Sequence, residues 1–256
     1  AAPEPAAASG APDPGTSDLG TSTPASRAED WPRTVSVGGA ELTLDAPPAR
    51  IVATSTEVGD LALELVGHER VAAVSAGSAT EGTGNQLDAA RRVATVLPAG
   101  NDPDPEKLLS LEPDLVLLVG RHAGEHDVAA LLAGSGVPTV AFEPTDFATP
   151  DDVIGTVTEL GRALGADGQA TAITDRIRAQ VDEARDRASR AADAPRTVVL
   201  MARGGRPMLM GAHSATTRLV ELAGGTSVAA EPGWTQAISA DPEAIVAAAP
   251  EVILVQ

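Results

Sequence analysis

The sequence has no cysteine and no tyrosine, and aromatic residues make up 2% of its 256 positions. Without cysteine there is neither a disulfide framework nor a thiolate metal site. Basic residues are scarce as well: 18 Lys and Arg stand against 36 Asp and Glu, a formal net charge of −18. Such a surplus repels phosphate backbones and anionic lipid headgroups, which argues against nucleic-acid binding and against membrane attachment through a basic patch. No apolar run approaches the ~20 residues needed to span a bilayer.

Catalytic signatures are missing too. No G-x-G-x-x-G follows a strand, and there is no phosphate-cradling G-x-x-x-x-G-K-[ST], no nucleophile elbow and no H-E-x-x-H. Arg203-Gly204-Gly205-Arg206 imitates a phosphate loop only weakly and is better read as a turn. A binding protein needs none of these groups, so a binder is expected rather than an enzyme. A tethered scaffold or adhesion module is the third class.

Residues 1–30 are Ala, Pro, Ser, Thr and Gly with scattered acids, too little large apolar surface to offset the entropy of ordering. They read as a flexible tether, which makes most sense if something upstream is anchored. The chain opens on Ala1 rather than methionine, as a processed export product would, with a signal peptide and a lipid-modified cysteine expected upstream.

From Trp31 onward order is expected. Thr34–Val37 and Glu41–Leu44 alternate about Gly38-Gly39, the pattern of a two-residue hairpin. Short aliphatic strands at 50–54, 71–74, 93–96, 114–119 and 137–142 then alternate with helical stretches at 58–66, 105–111 and 125–132. That spacing predicts a mainly parallel sheet covered on both faces.

Thr149-Pro150-Asp151-Asp152 opens a further helix with a cap, a first-position proline and acids at the positive end. It should stop near Gly165. A longer helix over 169–191 follows, with Ile173, Ile177 and Val181 as its apolar stripe. Glu183/Arg187 and Asp186/Arg190 form expected ion pairs on its solvated face. This helix is long for a crossover within one small sheet and reads better as a strut between two bodies. Beyond Pro195 the alternation resumes, with strands at 197–202, 207–210 and 252–255 and helices at 216–223 and 242–249.

The strongest signal is a gapless internal match. Residues 104–118, DPEKLLSLEPDLVLL, align with 241–255, DPEAIVAAAPEVILV. In each copy Asp104 or Asp241 caps a helix, Pro105 or Pro242 takes its first position, and Pro113 or Pro250 ends it before a buried-type strand. Duplication of a lobe accounts for two such units with their acids in register.

These copies, together with Arg50-Ile51-Val52 before Thr56-Glu57, the long helix and PGWTQAISADPEAIVAAAPEVILV, resemble the helical-backbone (class III) substrate-binding proteins of ABC importers for ferric siderophores, haem and vitamin B12. The resemblance covers residues 34–256. It implies an α/β fold of two Rossmann-like lobes linked by one long α-helix, with the ligand cleft between them. The implied division is a tether over 1–30, an N-terminal lobe over 31–148, linking helices over 149–192 and a C-terminal lobe over 193–256. Members of the family continue with further βα units past the strand that matches 252–256, so the second lobe is expected to be truncated at Gln256. The resemblance also implies that one acid on each lobe docks on arginines of the permease dimer. Glu106 and Glu243 match those acids by position, although each also favours the positive end of its own helix.

Ligands of open parallel sheets bind beyond the carboxyl ends of the strands. That rule selects Ser55 and Thr56, the 75–86 loop, Arg121 and His122, and Arg203 and Arg206 around the later turn. Trp234 lies where members of the family often present an aromatic to the cleft. Three arginines at strand ends suggest a local positive pocket, since guanidinium pairs with carboxylate or catecholate oxygens in a fixed fork. Each alone reads equally well as an ordinary surface arginine.

Haem would demand an axial ligand. Tyrosine and cysteine are excluded by composition, which leaves His122 with Met208 or Met210 across the cleft, although the two methionines share one strand face and read first as core. His122 and His126 stand four residues apart, as a bare-metal pair would, but lack clustered acids. His68 and His213 carry no motif. With few aromatic walls available, a ferric siderophore is expected first, haem second and cobalamin third. No intrinsic cofactor is expected. The expected partners are a small-molecule chelate and an ABC permease dimer, with the chain a lipid-anchored monomer outside the cytoplasm.

Overall fold

The computed structural model describes residues 31–98, 103–203 and 205–256, with the backbone alone at Arg203. The tether expected over 1–30 lies outside the described residues, as does Gly204 in the Arg203–Arg206 turn. Strands β1 (Arg33–Val37) and β2 (Ala40–Leu44) form the expected antiparallel hairpin, in register from Val37↔Ala40 to Arg33↔Leu44. Gly38 and Gly39 turn the chain at φ of 56° and 72°, a region that penalises any residue with a Cβ. The alternation buries Val37 and Leu44.

The first large sheet holds β3 (Ile51–Ala53), β4 (Val71–Ser75), β5 (Thr95–Leu97), β6 (Leu115–Val119) and β7 (Thr139–Phe142). All pairings are parallel, and the spatial order is β5-β4-β3-β6-β7. Helices α1 (Thr56–Val66), α2 (Leu87–Ala90), α3 (Pro105–Leu109) and α4 (Ala123–Gly134) make the connections. Burial on both faces explains the unbroken aliphatic run of β6, LVLLV, which is buried at every position. The chain begins in the middle at β3, winds out to β5, then returns to β6 on the other side of β3. Strand order reverses between β3 and β6, so a crevice opens outside their carboxyl ends.

Helix α5 (Pro150–Leu164) starts as its residues dictate. Thr149 Oγ1 accepts from Asp152 N at 3.2 Å, and Asp152 Oδ2 accepts from Thr149 N at 3.0 Å, a reciprocal cap. Helix α6 (Asp167–Ser189) follows, 23 residues that rise ~34 Å. Its first half seats Ala170 and Ile173 in the core shared by β3, β6 and α5. Glu183 pairs with Arg187 as expected. The expected Asp186/Arg190 ion pair is replaced: Arg190 Nε donates to the Asp186 carbonyl oxygen at 2.9 Å, satisfying one of the carbonyls left open where a helix ends.

The second sheet is mixed. It contains β8 (Arg196–Arg203), β9 (Arg206–Leu209), β10 (Thr226–Ser227), β11 (Ile238–Ser239) and β12 (Val252–Val255), with α7 (Ala215–Leu222) and α8 (Pro242–Ala248). β8 and β9 form a hairpin from Leu200↔Leu209 to Arg203↔Arg206. β10 and β12 both pair parallel with β8. Val198, Leu209, Val228 and Ala248 make the core of this lobe.

The internal match extends to individual hydrogen bonds. Asp104 Oδ1 accepts from Glu106 N at 3.0 Å, and Asp241 Oδ1 accepts from Glu243 N at 2.9 Å. Among the described residues, the non-glycine residues of positive φ are Glu112 at 48° and Ala249 at 44°, each just before its closing proline. Arg50 donates to the Glu112 and Leu111 carbonyls at 3.1 and 2.6 Å, and Arg196 donates to the Ala249 and Ala248 carbonyls at 3.3 and 2.8 Å. Asp114 accepts from Arg50 N at 2.9 Å, and Glu251 accepts from Arg196 N at 2.8 Å. Both arginines therefore belong to the repeat, although they lie at unequal distances upstream of it.

Candidate functional site

A cavity of 690 Å³ opens beyond the carboxyl ends of β3, β4 and β6. Ser55, two residues past β3, is buried, and its Oγ accepts from Val119 N at 3.0 Å. That bond stitches together the strands on either side of the switch point. Because the hydroxyl is occupied there, α1 begins without a side-chain cap. Thr56 Oγ1 and Ser75 Oγ lie 3.2 Å apart, tying α1 to the end of β4. A Cβ at Gly77 would stand 2.0 Å from Thr56 Oγ1, so the loop approaches this closely only as glycine.

Acids dominate the charged part of the wall. Glu57, Asp60, Glu64 and Glu125 line it, with Arg121 as the cation among the described lining residues. Arg121 Nη2 pairs with Glu57 Oε1 at 2.6 Å. Glu64 pairs with Arg176 of α6. Glu125 is buried, and its Oε2 accepts from Arg121 N at 2.6 Å and His122 N at 2.9 Å, placing its charge on the positive end of α4.

Asp60 differs from the other three. It is 8% exposed, and its Oδ2 accepts from Asn85 N at 2.7 Å and Asn85 Nδ2 at 3.1 Å. Its Oδ1 is buried with no hydrogen-bond partner among the described residues. Phe147 and Val153 supply apolar wall, and Phe147 packs edge-on against Phe142 with ring centroids 5.9 Å apart. The same two residues line a second cavity of 390 Å³, mostly apolar, where Ile177 and Val181 of α6 face Leu219 and Leu222 of α7.

The residues singled out from sequence divide into two groups. Ser55, Thr56 and Arg121 meet in the 690 Å³ cavity. His122 is exposed at the start of α4 and does not line it. Arg206 is exposed on the β8–β9 hairpin, and the side chain of Arg203 lies outside the described residues. Met208 is half-buried opposite Met201; Leu209 takes the core position, so alternation turns Met208 to the other face. Trp234 packs half-buried on the core of the second lobe, its backbone N–H donating to the Ala229 carbonyl at 2.9 Å. Four acids around one paired arginine do not make the positive pocket that the strand-end arginines suggested. No group of three or more His, Cys, Asp or Glu stands ready to hold a metal ion among the described residues, His122 and His126 included.

Asp60, Glu125 and Phe147 were not singled out from sequence, whereas Ser75, Gly77, Thr83 and Asn85 of the lining fall within the selected 75–86 loop. The available signal was the run Glu57, Asp60, Leu61, Glu64, one face of α1 at helical spacing. Glu106 and Glu243 are exposed at the second positions of α3 and α8, and no ion pair among the described residues engages either.

A family model described as periplasmic binding protein matches residues 51–256. Among solved structures, the chain is similar to the periplasmic heme-binding protein RhuT from Roseiflexus sp. RS-1, at 24% identity over 80% of this chain and 75% of that one, with a TM-score of 0.68. It is similar to a possible iron-binding (periplasmic solute-binding) protein from Staphylococcus epidermidis, at 16% identity over 81% and 76%, TM-score 0.66. It is also similar to the periplasmic heme-binding protein BhuT in complex with two hemes, at 25% identity over 80% and 76%, TM-score 0.66. No curated protein matches the chain. No helix among the described residues is long and apolar enough to cross a membrane.

Proposed function

Because the chain belongs to the periplasmic binding protein family, we propose that the solute it carries to its importer is an iron chelate, a ferric siderophore first. Membership makes it an extracytoplasmic substrate-binding protein of an ABC importer, and not an enzyme. The observation that carries the ligand class is the 690 Å³ cavity at the switch point between β3 and β6. Its size suits a cofactor-sized ligand, and its lining mixes hydroxyl, amide and charged groups with Phe147 and Val153. One aromatic ring among the described lining residues suits a chelate better than a flat macrocycle, which asks for more ring contact.

Haem is the second reading, favoured by the heme-binding proteins among the similar structures. In that case His122, with Met208 or Met210, is the candidate iron ligand. Cobalamin stands third. Ser55, Thr56 and Arg121 are the proposed contacts from the first lobe, and Arg203, Arg206, Met208 and Trp234 those from the second. Glu106 and Glu243, at equivalent places in the repeat, are proposed to dock on arginines of the permease dimer. The proposed organisation is a monomer with its anchor upstream of residue 1, a tether over 1–30, lobes over 31–148 and 193–256, and a link over 149–192.

Titration of tryptophan fluorescence with ferric siderophores and hemin tests this reading. Saturable quenching without product supports it, and Trp234→Phe is expected to remove most of the signal. Failure of every chelate and of hemin to bind overturns it. Replacing Glu106 and Glu243 together by alanine is expected to abolish uptake while affinity persists; unchanged uptake removes the docking role.

A further inference from the structure

Each carboxylate of the 690 Å³ cavity has a cationic or dipolar counterpart except one. Glu57 has Arg121, Glu64 has Arg176, and Glu125 lies on the N–H groups that open α4. Asp60 has only the neutral amide and backbone N–H of Asn85, both on Oδ2, while Oδ1 is buried without a partner among the described residues. The positive end of α1 does not offset this charge. That field fades within the first turn, where Glu57 already stands, and Asp60 comes after it.

The wall therefore carries one carboxylate with neither a cation nor a helix end to offset it, 8% exposed, where mobile ions screen it poorly. A buried charge without a counterpart is costly, and a cargo that brings positive charge close to it regains part of that cost on binding. A negative cargo adds to it. We infer that the cavity selects chelates whose periphery is cationic, with Asp60 as the selectivity-determining residue. This rests on the reading of the protein as a chelate carrier and narrows it, because it sets aside the anionic cargo that the strand-end arginines suggested.

Ferric trihydroxamates that share one iron-binding core and differ only at a terminus supply the probe. One ends in an ammonium group, one in an acetylated amine and one in a succinylated amine. Equilibrium dialysis of the purified chain at low salt, read by the visible absorption of the chelate, is expected to rank ammonium over acetyl over succinyl, with about tenfold between first and last. Asp60→Asn keeps the shape and the acceptor for Asn85, and is expected to bring the extremes within about threefold. If that variant loses its far-UV circular dichroism, Glu57→Gln decides instead: it strips Arg121 of its counter-charge and moves the ranking towards the succinylated form. Glu183→Gln, on the solvated face of α6, leaves the ranking as it was. Equal affinities in the parent chain, a preference for the succinylated form, or a ranking untouched by the deciding variant overturns the inference while chelate binding stands. Absence of binding by all three chelates and by hemin overturns the chelate-carrier reading and the inference with it.

Discussion

Strands β6 and β12 follow the same aspartate-capped helix, the same closing proline and the same arginine clamp, yet β6 is buried at every position while Val252, Ile253, Leu254 and Val255 are 42%, 48%, 39% and 62% exposed. Their neighbours account for the difference. β6 lies between β3 and β7, whereas among the described residues β12 pairs with β8 alone. Similar local instructions thus produce matching caps, dihedral angles and carbonyl contacts in two settings that differ in burial. Secondary structure in this unit is set locally; what each strand adds to stability is set by the layers around it.

The comparison breaks most visibly at matched leucines. Leu117→Ala, at a fully buried position of β6, is expected to cost about 2–5 kcal/mol in urea unfolding. Leu254→Ala, at the corresponding position of β12, is expected to cost less than about 1 kcal/mol. Equal losses would mean that β12 is covered in solution.

The arginine clamp sharpens the parallel. Arg50→Ala and Arg196→Ala each free two carbonyls at a helix end, and each is expected to lower the urea midpoint by less than Leu117→Ala does, because the clamps are largely at the surface. A loss confined to Arg50 would show that the second clamp is geometric only.

The smallest effect separates the copies by pH. Arg196 also holds Glu231 through two parallel hydrogen bonds of 2.6 and 3.0 Å, and this contact draws the Glu231 carboxyl below its ordinary range. A carboxyl whose folded value is depressed contributes stability above the unfolded value and loses it as pH falls through the folded one. Glu231→Gln is therefore expected to lower the thermal midpoint slightly at neutral pH, with the difference from the parent chain shrinking below the ordinary glutamate value of about 4.3. A difference that grows in acid would contradict the assignment.

What was legible in the sequence was what depends on near neighbours. The Gly38-Gly39 hairpin, the Thr149 cap, the alternation of strands and helices and the two Asp-Pro-Glu copies all follow from residues a few positions apart. The site was legible in part. Ser55, Thr56 and Arg121 line the cavity where the rule about strand ends puts them, because topology alone places them. The charge of the site was misread because Arg121 meets a glutamate 64 residues upstream, and nothing local reveals that pairing. Glu57, Asp60 and Glu64 share the spacing of an ordinary solvated helix face, and only the packing of β4 and its following loop turns that face onto a cavity. The arginine clamps went unnoticed for the same reason, each bridging more than fifty residues.

Helix α6 has its first half fixed by Ile173 in the core of one lobe, while its later residues Val181 and Ala184 line the 390 Å³ cavity with Leu219 and Leu222 of the other and its Ala188 lies close against Gly224. Every residue between those two grips is helical. A hinge needs a few positions free to change φ and ψ, and this stretch has none. Taking up a cargo is then a matter of slight elastic torsion along a rod held at both ends, and the loaded and empty proteins are expected to tumble with nearly the same hydrodynamic radius.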